Sequence, residues 1–125
     1  MKRRISILTA IVGFAFIATA FTLTNMSVID GNWKGEFKGT SEAIQVQTHF
    51  WTENDELKGT IDFPAENIYR LELSWIMIDE ANTIHFEVVK NSETLVFDGK
   101  LINNDLTGQF STKTGRGIFT LSRVR

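Results

Sequence analysis

Cysteine is absent from the 125 residues, which removes disulfides, thiolate metal ligands, a nucleophilic thiol and any lipid-modified cysteine behind a signal sequence. Proline occurs once and histidine twice. Charge of either sign is missing between Arg4 and Asp30, and Gly-x-Ser-x-Gly, the signature of a serine-hydrolase elbow, does not occur. The two histidines, His49 and His85, have no second ligand at metal spacing and read as solvated surface side chains, so no metal is expected. Ser41, Ser74 and Ser92 lack a nucleophile context. The neighbouring carboxylates Asp55-Glu56 and Asp79-Glu80 fall in turns, where they read as solubilising charge. No catalytic residue and no cofactor emerges.

What is present divides the chain in two. Lys2, Arg3 and Arg4 precede 19 uncharged residues, Ile5 to Leu23, with the small-x-small triplet Ala18-Thr19-Ala20 inside them. A basic start, an apolar run and a small-residue triplet predict a secretory signal peptide over residues 1–20, cut after Ala20. An uncleaved membrane anchor reaching to about residue 24 is the alternative, since the run approaches the roughly 20 residues that span a bilayer. In both cases the rest is expected outside the cytoplasm, secreted, periplasmic or held at the membrane by residues 5–23. Residues 21–29 read as a linker and residues 30–125 as one folded domain. Asn25-Met26-Ser27 matches a glycosylation sequon and Arg116 between two glycines matches an anion nest; position behind a signal sequence and a strand-opening bend account for them more simply.

Removing Lys2, Arg3 and Arg4 from the 13 basic residues leaves 10 against 15 acidic, a formal charge of −5. Such a domain has no electrostatic attraction to nucleic acid. A membrane enters only through an uncleaved N-terminal helix.

From Gly31 onward apolar residues recur with period two, interrupted about every ten residues by turn formers. Strands are predicted over Asn32–Lys38, Ala43–Thr52, Glu56–Phe63, Ile68–Ile78, Thr83–Lys90, Thr94–Ile102, Asp105–Ser111 and Arg116–Val124. Their short connections cannot carry parallel crossovers, so the sheet is expected to be antiparallel throughout. Alternation assigns an inward face of Trp33, Phe37, Ile44, Val46, Phe50, Leu57, Ile61, Phe63, Tyr69, Leu71, Leu73, Trp75, Met77, Ile84, Phe86, Val88, Leu95, Phe97, Leu101, Leu106, Phe110, Phe119 and Leu121. Gly35, Gly59, Gly99, Gly108 and Gly117 share that parity, as strongly coiled strands require. An eight-stranded up-and-down barrel satisfies all of this and removes exposed edges. An open two-layer sandwich is the alternative.

Gly31-Asn32-Trp33 on the first strand and Arg123 on the last resemble the Gly-x-Trp and terminal Arg of lipocalin-like barrels, which implies that Trp33 and Arg123 close one end of the barrel. A closer likeness runs through Leu57-x-Gly59-Thr60-Ile61-Asp62-x-Pro64, His85-Phe86-Glu87-Val88, Phe97-Asp98-Gly99-x-Leu101, Leu106-Thr107-Gly108-x-Phe110 and Leu121-x-Arg123. That succession is similar to the small lipocalin-like barrel that precedes the catalytic domain of many secreted bacterial α/β-hydrolases. In that family the hydrolase follows the final Arg; here the sequence ends at Arg125, so the resemblance transfers no esterase or peptidase activity.

The resemblance implies a non-catalytic exported module that docks on an enzyme or another protein, or on a second copy of itself. A carrier of a small apolar ligand is the alternative, with Phe50, Tyr69, Trp75, Phe86, Phe97 and Phe110 as the candidate lining. Trp51, Ile76 and Ile78 carry outward parity and form the candidate partner patch.

Overall fold

The computed structural model describes residues 28–39 and 42–125. The signal or anchor stretch expected before residue 25 lies outside them. Eight strands succeed one another: β1 (Gly31–Lys38), β2 (Ala43–Glu53), β3 (Glu56–Phe63), β4 (Ile68–Ile78), β5 (Thr83–Lys90), β6 (Glu93–Ile102), β7 (Asp105–Ser111) and β8 (Arg116–Arg123). Each pairs antiparallel with the next and β8 returns to β1, so the sheet closes into an up-and-down barrel. Strand ends depart from the sequence reading by no more than one residue. No helix among the described residues is long and apolar enough to cross a membrane.

Local chemistry explains the corners. Asn54-Asp55 and Asn91-Ser92 form two-residue connections with both residues at positive φ, the conformation whose twist matches a right-handed hairpin. Between β3 and β4 a single 3-10 turn, Pro64–Glu66, ends at Asn67, whose left-handed backbone returns its N–H to the Pro64 carbonyl. The inward glycines relieve crowding between neighbouring strands. Gly99 sits opposite Gly108 in the β6–β7 register, and a Cβ on Gly108 would strike the Asp98 carbonyl oxygen and the Gly99 backbone.

β4 departs from simple alternation. Tyr69, Trp75 and Met77 do not face the core: they are 56%, 55% and 51% exposed. Ile78 is buried in the core and Ile76 packs against it, so neither belongs to an outer patch. The cause is two irregularities in one strand. Against β3, Ile68 and Leu71 oppose Phe63 and Ile61, which places one extra residue on β4 beside Arg70 at φ 54. Against β5, Leu73 and Trp75 oppose Val88 and Glu87, which places a second extra residue there. Each bulge inverts the two-residue alternation. Ile68, Leu71, Leu73, Ile76 and Ile78 therefore turn to the core, while Tyr69, Trp75 and Met77 turn to solvent.

Ile29, just ahead of the first strand and read as linker, is fully buried and belongs to the core.

Candidate functional site

One end of the barrel is closed by the N-terminal approach and the last strand. Trp33 and Arg123 are direct partners in the β1–β8 register, and the guanidinium carbon lies 4.4 Å from the indole centroid. Nη1 donates to the Asp30 carbonyl at 2.7 Å, Nη2 to the Val28 carbonyl at 2.8 Å and Nε to Asn104 Oδ1 at 3.2 Å. The indole Nε1 donates to the Ile29 carbonyl at 3.0 Å. A planar fork above a ring and beneath two carbonyls is a task for arginine rather than lysine. Its role is structural closure. The carbonyls of Val28, Ile29 and Asp30 had no signal in the sequence, because they act through backbone atoms of a stretch without periodicity.

Four of the six residues expected to line a ligand cavity do point inward: Phe50, Phe86, Phe97 and Phe110 are buried. They meet one another instead of a void. Phe86 stacks on Phe97 at 4.6 Å between centroids, Phe50 and Phe119 approach Phe86 edge-on, and Phe37 packs edge-on to Phe63, Phe97 and Phe110. These offset and edge-to-face contacts fill the middle of the barrel. Tyr69 and Trp75, the other two candidates, are on the outer surface for the reason given above.

Concave space lies nearer the surface. At the end remote from Trp33, a depression of about 320 Å³ has a floor of Phe37, Ile44, Leu95 and Phe110 and a rim that includes Lys90, Glu93 and Arg116. A larger one, about 470 Å³, opens between β3 and β4. Here the β3–β4 register ends at Thr60↔Glu72, short of Glu56–Gly59 on one strand and Leu73–Ile78 on the other. Leu57, Gly59, Leu73 and Ile76 line its inner side, while Trp51, Trp75, Asp55, Glu56, Lys58 and Glu72 line its outer rim. The outward Trp51 and the core-packed Ile76 thus meet in this slot, and Ile78 does not. The sequence marks Asp55-Glu56 as a neighbouring pair but reads it as solubilising charge, and Glu72 as one more residue of the polar face, since nothing local to either shows that they share a slot.

His85 is the titratable group with the most developed surroundings. Its ring stands on the outer surface, as expected, but it is held rather than free: Nδ1 contacts Asp98 Oδ1 at 2.5 Å and Nε2 contacts Glu87 Oε2 at 2.7 Å. Trp75 meets the imidazole edge-on at 5.7 Å. Partial burial opposes the charged form, yet the hydrogen bonds and charges of Glu87 and Asp98 outweigh it, and the His85 pKa is raised from 6.5. His49 contacts Asn32 Oδ1 at 2.7 Å and stacks on Trp51. No group of three or more His, Asp or Glu side chains placed to hold a metal occurs among the described residues.

No protein-family model and no curated protein matches the chain. Among solved structures it is similar to a redesigned β-barrel, b11L5F_LGL, with a TM-score of 0.63 and 13% identity over 86% of this chain and 96% of that one. It is also similar to a second redesigned β-barrel, mFAP1, bound to DFHBI, with a TM-score of 0.52 and 13% identity over 86% of this chain and 98% of that one. At such identity the likeness concerns the fold, and the chain is an all-β, closed eight-stranded antiparallel barrel.

Proposed function

We propose that this protein is a non-catalytic, exported, lipocalin-like barrel module that docks on another protein through its outer surface around β4. The observation that carries the reading is the pair of bulges in β4. They turn Tyr69, Trp75 and Met77 outward, each more than half exposed, while phenyl rings occupy the interior. Bulges re-aim side chains, and an exposed aromatic cluster beside a concave slot has the composition of a contact surface. The similarity to the barrels in front of secreted α/β-hydrolases supports an enzyme as the partner. A formal charge of −5 outside the N-terminal stretch disfavours a second copy, which would carry the same charge.

The test is site-specific photocrosslinking in the native host, with p-benzoylphenylalanine in place of Trp75 and, as a control, in place of Glu36 on β1. A single adduct of discrete mass at position 75, absent at position 36, is expected. Equal labelling at both positions, or none at 75, overturns the docking reading.

The depression over Phe37 and Phe110 favours the second reading, a small apolar ligand held at the end of the barrel remote from Trp33. The redesigned barrel mFAP1 bound to DFHBI holds a small molecule on the same fold. One-to-one binding of a fluorescent fatty acid, lost in Phe110→Lys, is the result this alternative requires.

A further inference from the structure

We infer that the slot between β3 and β4 receives an arginine side chain from an extended segment of the protein partner. This rests on the docking reading and names the chemistry that the partner must present. Two indoles stand at the rim, Trp51 from β2 and Trp75 from β4, and the wall between them carries three carboxylates, Asp55, Glu56 and Glu72, against one ammonium, Lys58. Lys58 pairs with Glu56 at 3.5 Å. Among the described residues Asp55 and Glu72 have no ion pair or side-chain hydrogen bond, so the slot keeps two uncompensated negative charges. The floor of Leu57, Leu73 and Ile76 is apolar.

A long aliphatic stem ending in a delocalised cation fits each part of that description. The stem covers the leucines and isoleucine, the guanidinium plane stacks on an exposed indole, and its fork meets a carboxylate. An ammonium satisfies the charge but neither stacks as a plane nor binds in a bidentate manner. An acidic or neutral apolar segment leaves Asp55 and Glu72 facing nothing of opposite sign. The slot is about 470 Å³, larger than one side chain needs, and it lies beside the end of the β3–β4 register, where the flanking backbone of the segment can run along the outer edge of β4.

The experiment is NMR on the full chain labelled with ¹⁵N at tryptophan. Its three indole N–H signals report two rim positions, Trp51 and Trp75, and one internal control, the buried Trp33. The probe is an acetylated, amidated Gly-Arg-Gly-Arg-Gly peptide, compared with citrulline and lysine versions of the same peptide. Saturable shifts of Trp51 and Trp75 but not of Trp33 are expected with the arginine peptide, weaker with lysine and absent with citrulline. Affinity should fall about fivefold in the Asp55→Asn, Glu72→Gln double variant. It should fall further as the Debye length is reduced from about 30 Å to about 3 Å by salt. Equal shifts with citrulline, or an affinity unchanged by the double variant, overturn the arginine assignment. Absence of any shift at Trp75 alongside a discrete adduct at position 75 overturns the slot and leaves the docking reading standing. Arginine-dependent shifts without an adduct at position 75 overturn the docking reading and with it the assignment of the arginine to a protein partner.

Discussion

Arg123→Ala removes the residue that ties the last strand to the chain entering the first. The bond from Nη1 to the Asp30 carbonyl is charge-assisted and part-buried, worth about 1.5 kcal/mol. The more exposed bonds to Val28 and Asn104 add about 0.5 kcal/mol together. The guanidinium lies over the buried Trp33 ring, a contact worth about 1 kcal/mol. Truncation is therefore expected to cost about 3 kcal/mol, large against the 5–15 kcal/mol typical of a whole domain. Arg123→Lys should recover less than a third of this, because one ammonium cannot reach Val28, Asp30 and Asn104 together while stacking on the ring. The assay is urea denaturation followed by far-UV circular dichroism, with Trp33→Leu and the double variant completing a cycle. Trp33→Leu keeps apolar bulk at the closed end and deletes the ring. A coupling of about 1 kcal/mol is expected. Coupling below about 0.3 kcal/mol, with Lys as good as Arg, would refute the stacking argument.

Three further predictions concern the barrel itself. In β4, Ile78→Ala should destabilise by about 2 to 4 kcal/mol while Trp75→Gln stays within about 0.5 kcal/mol; the reverse ranking in denaturation midpoints would show that the strand does not bulge. Gly108→Ala forces a methyl group into the Asp98 carbonyl and the Gly99 backbone, and a loss of about 3 kcal/mol or failure to fold is expected, whereas Gly115→Ala, with open space around it, should be nearly neutral. For His85 the folded pKa lies above the unfolded 6.5. Its stabilisation is therefore complete below 6.5 and is lost as pH rises through the folded value. The stability difference between wild type and His85→Gln, measured by urea melts across that range, should shrink with rising pH; a difference that widens contradicts the assignment.

The eight strands, their order and their turns were legible because each depends on local chemistry. Asn, Asp, Gly and Pro clusters mark the corners, and one-sided burial imposes a two-residue alternation that survives without any knowledge of neighbours. The closed end was legible in part: Trp33 and Arg123 carry side chains unusual enough to mark, but their partners Val28, Ile29 and Asp30 contribute backbone carbonyls that every residue possesses.

β4 was misread for a definite reason. Near its end both parities are apolar, Trp75 and Met77 on one and Ile76 and Ile78 on the other, so alternation alone cannot choose between faces. The choice is made by pairing. β3 sets the phase through Phe63↔Ile68 and Ile61↔Leu71 and β5 through Leu73↔Val88 and Ile78↔Ile84, and the strand meets each pair by inserting one extra residue, the first between Ile68 and Leu71 and the second between Leu73 and Ile76. Those insertions decide which residues fill the interior and which stand beside the slot. The sequence by itself determined eight antiparallel strands with one marked end, in a barrel or an open sandwich, and the pairing of β8 with β1 decided for the barrel. Only the tertiary structure decided that the interior is packed with phenyl rings and that Trp51, Trp75, Asp55 and Glu72 share one depression, because that meeting depends on where the register between two strands ends.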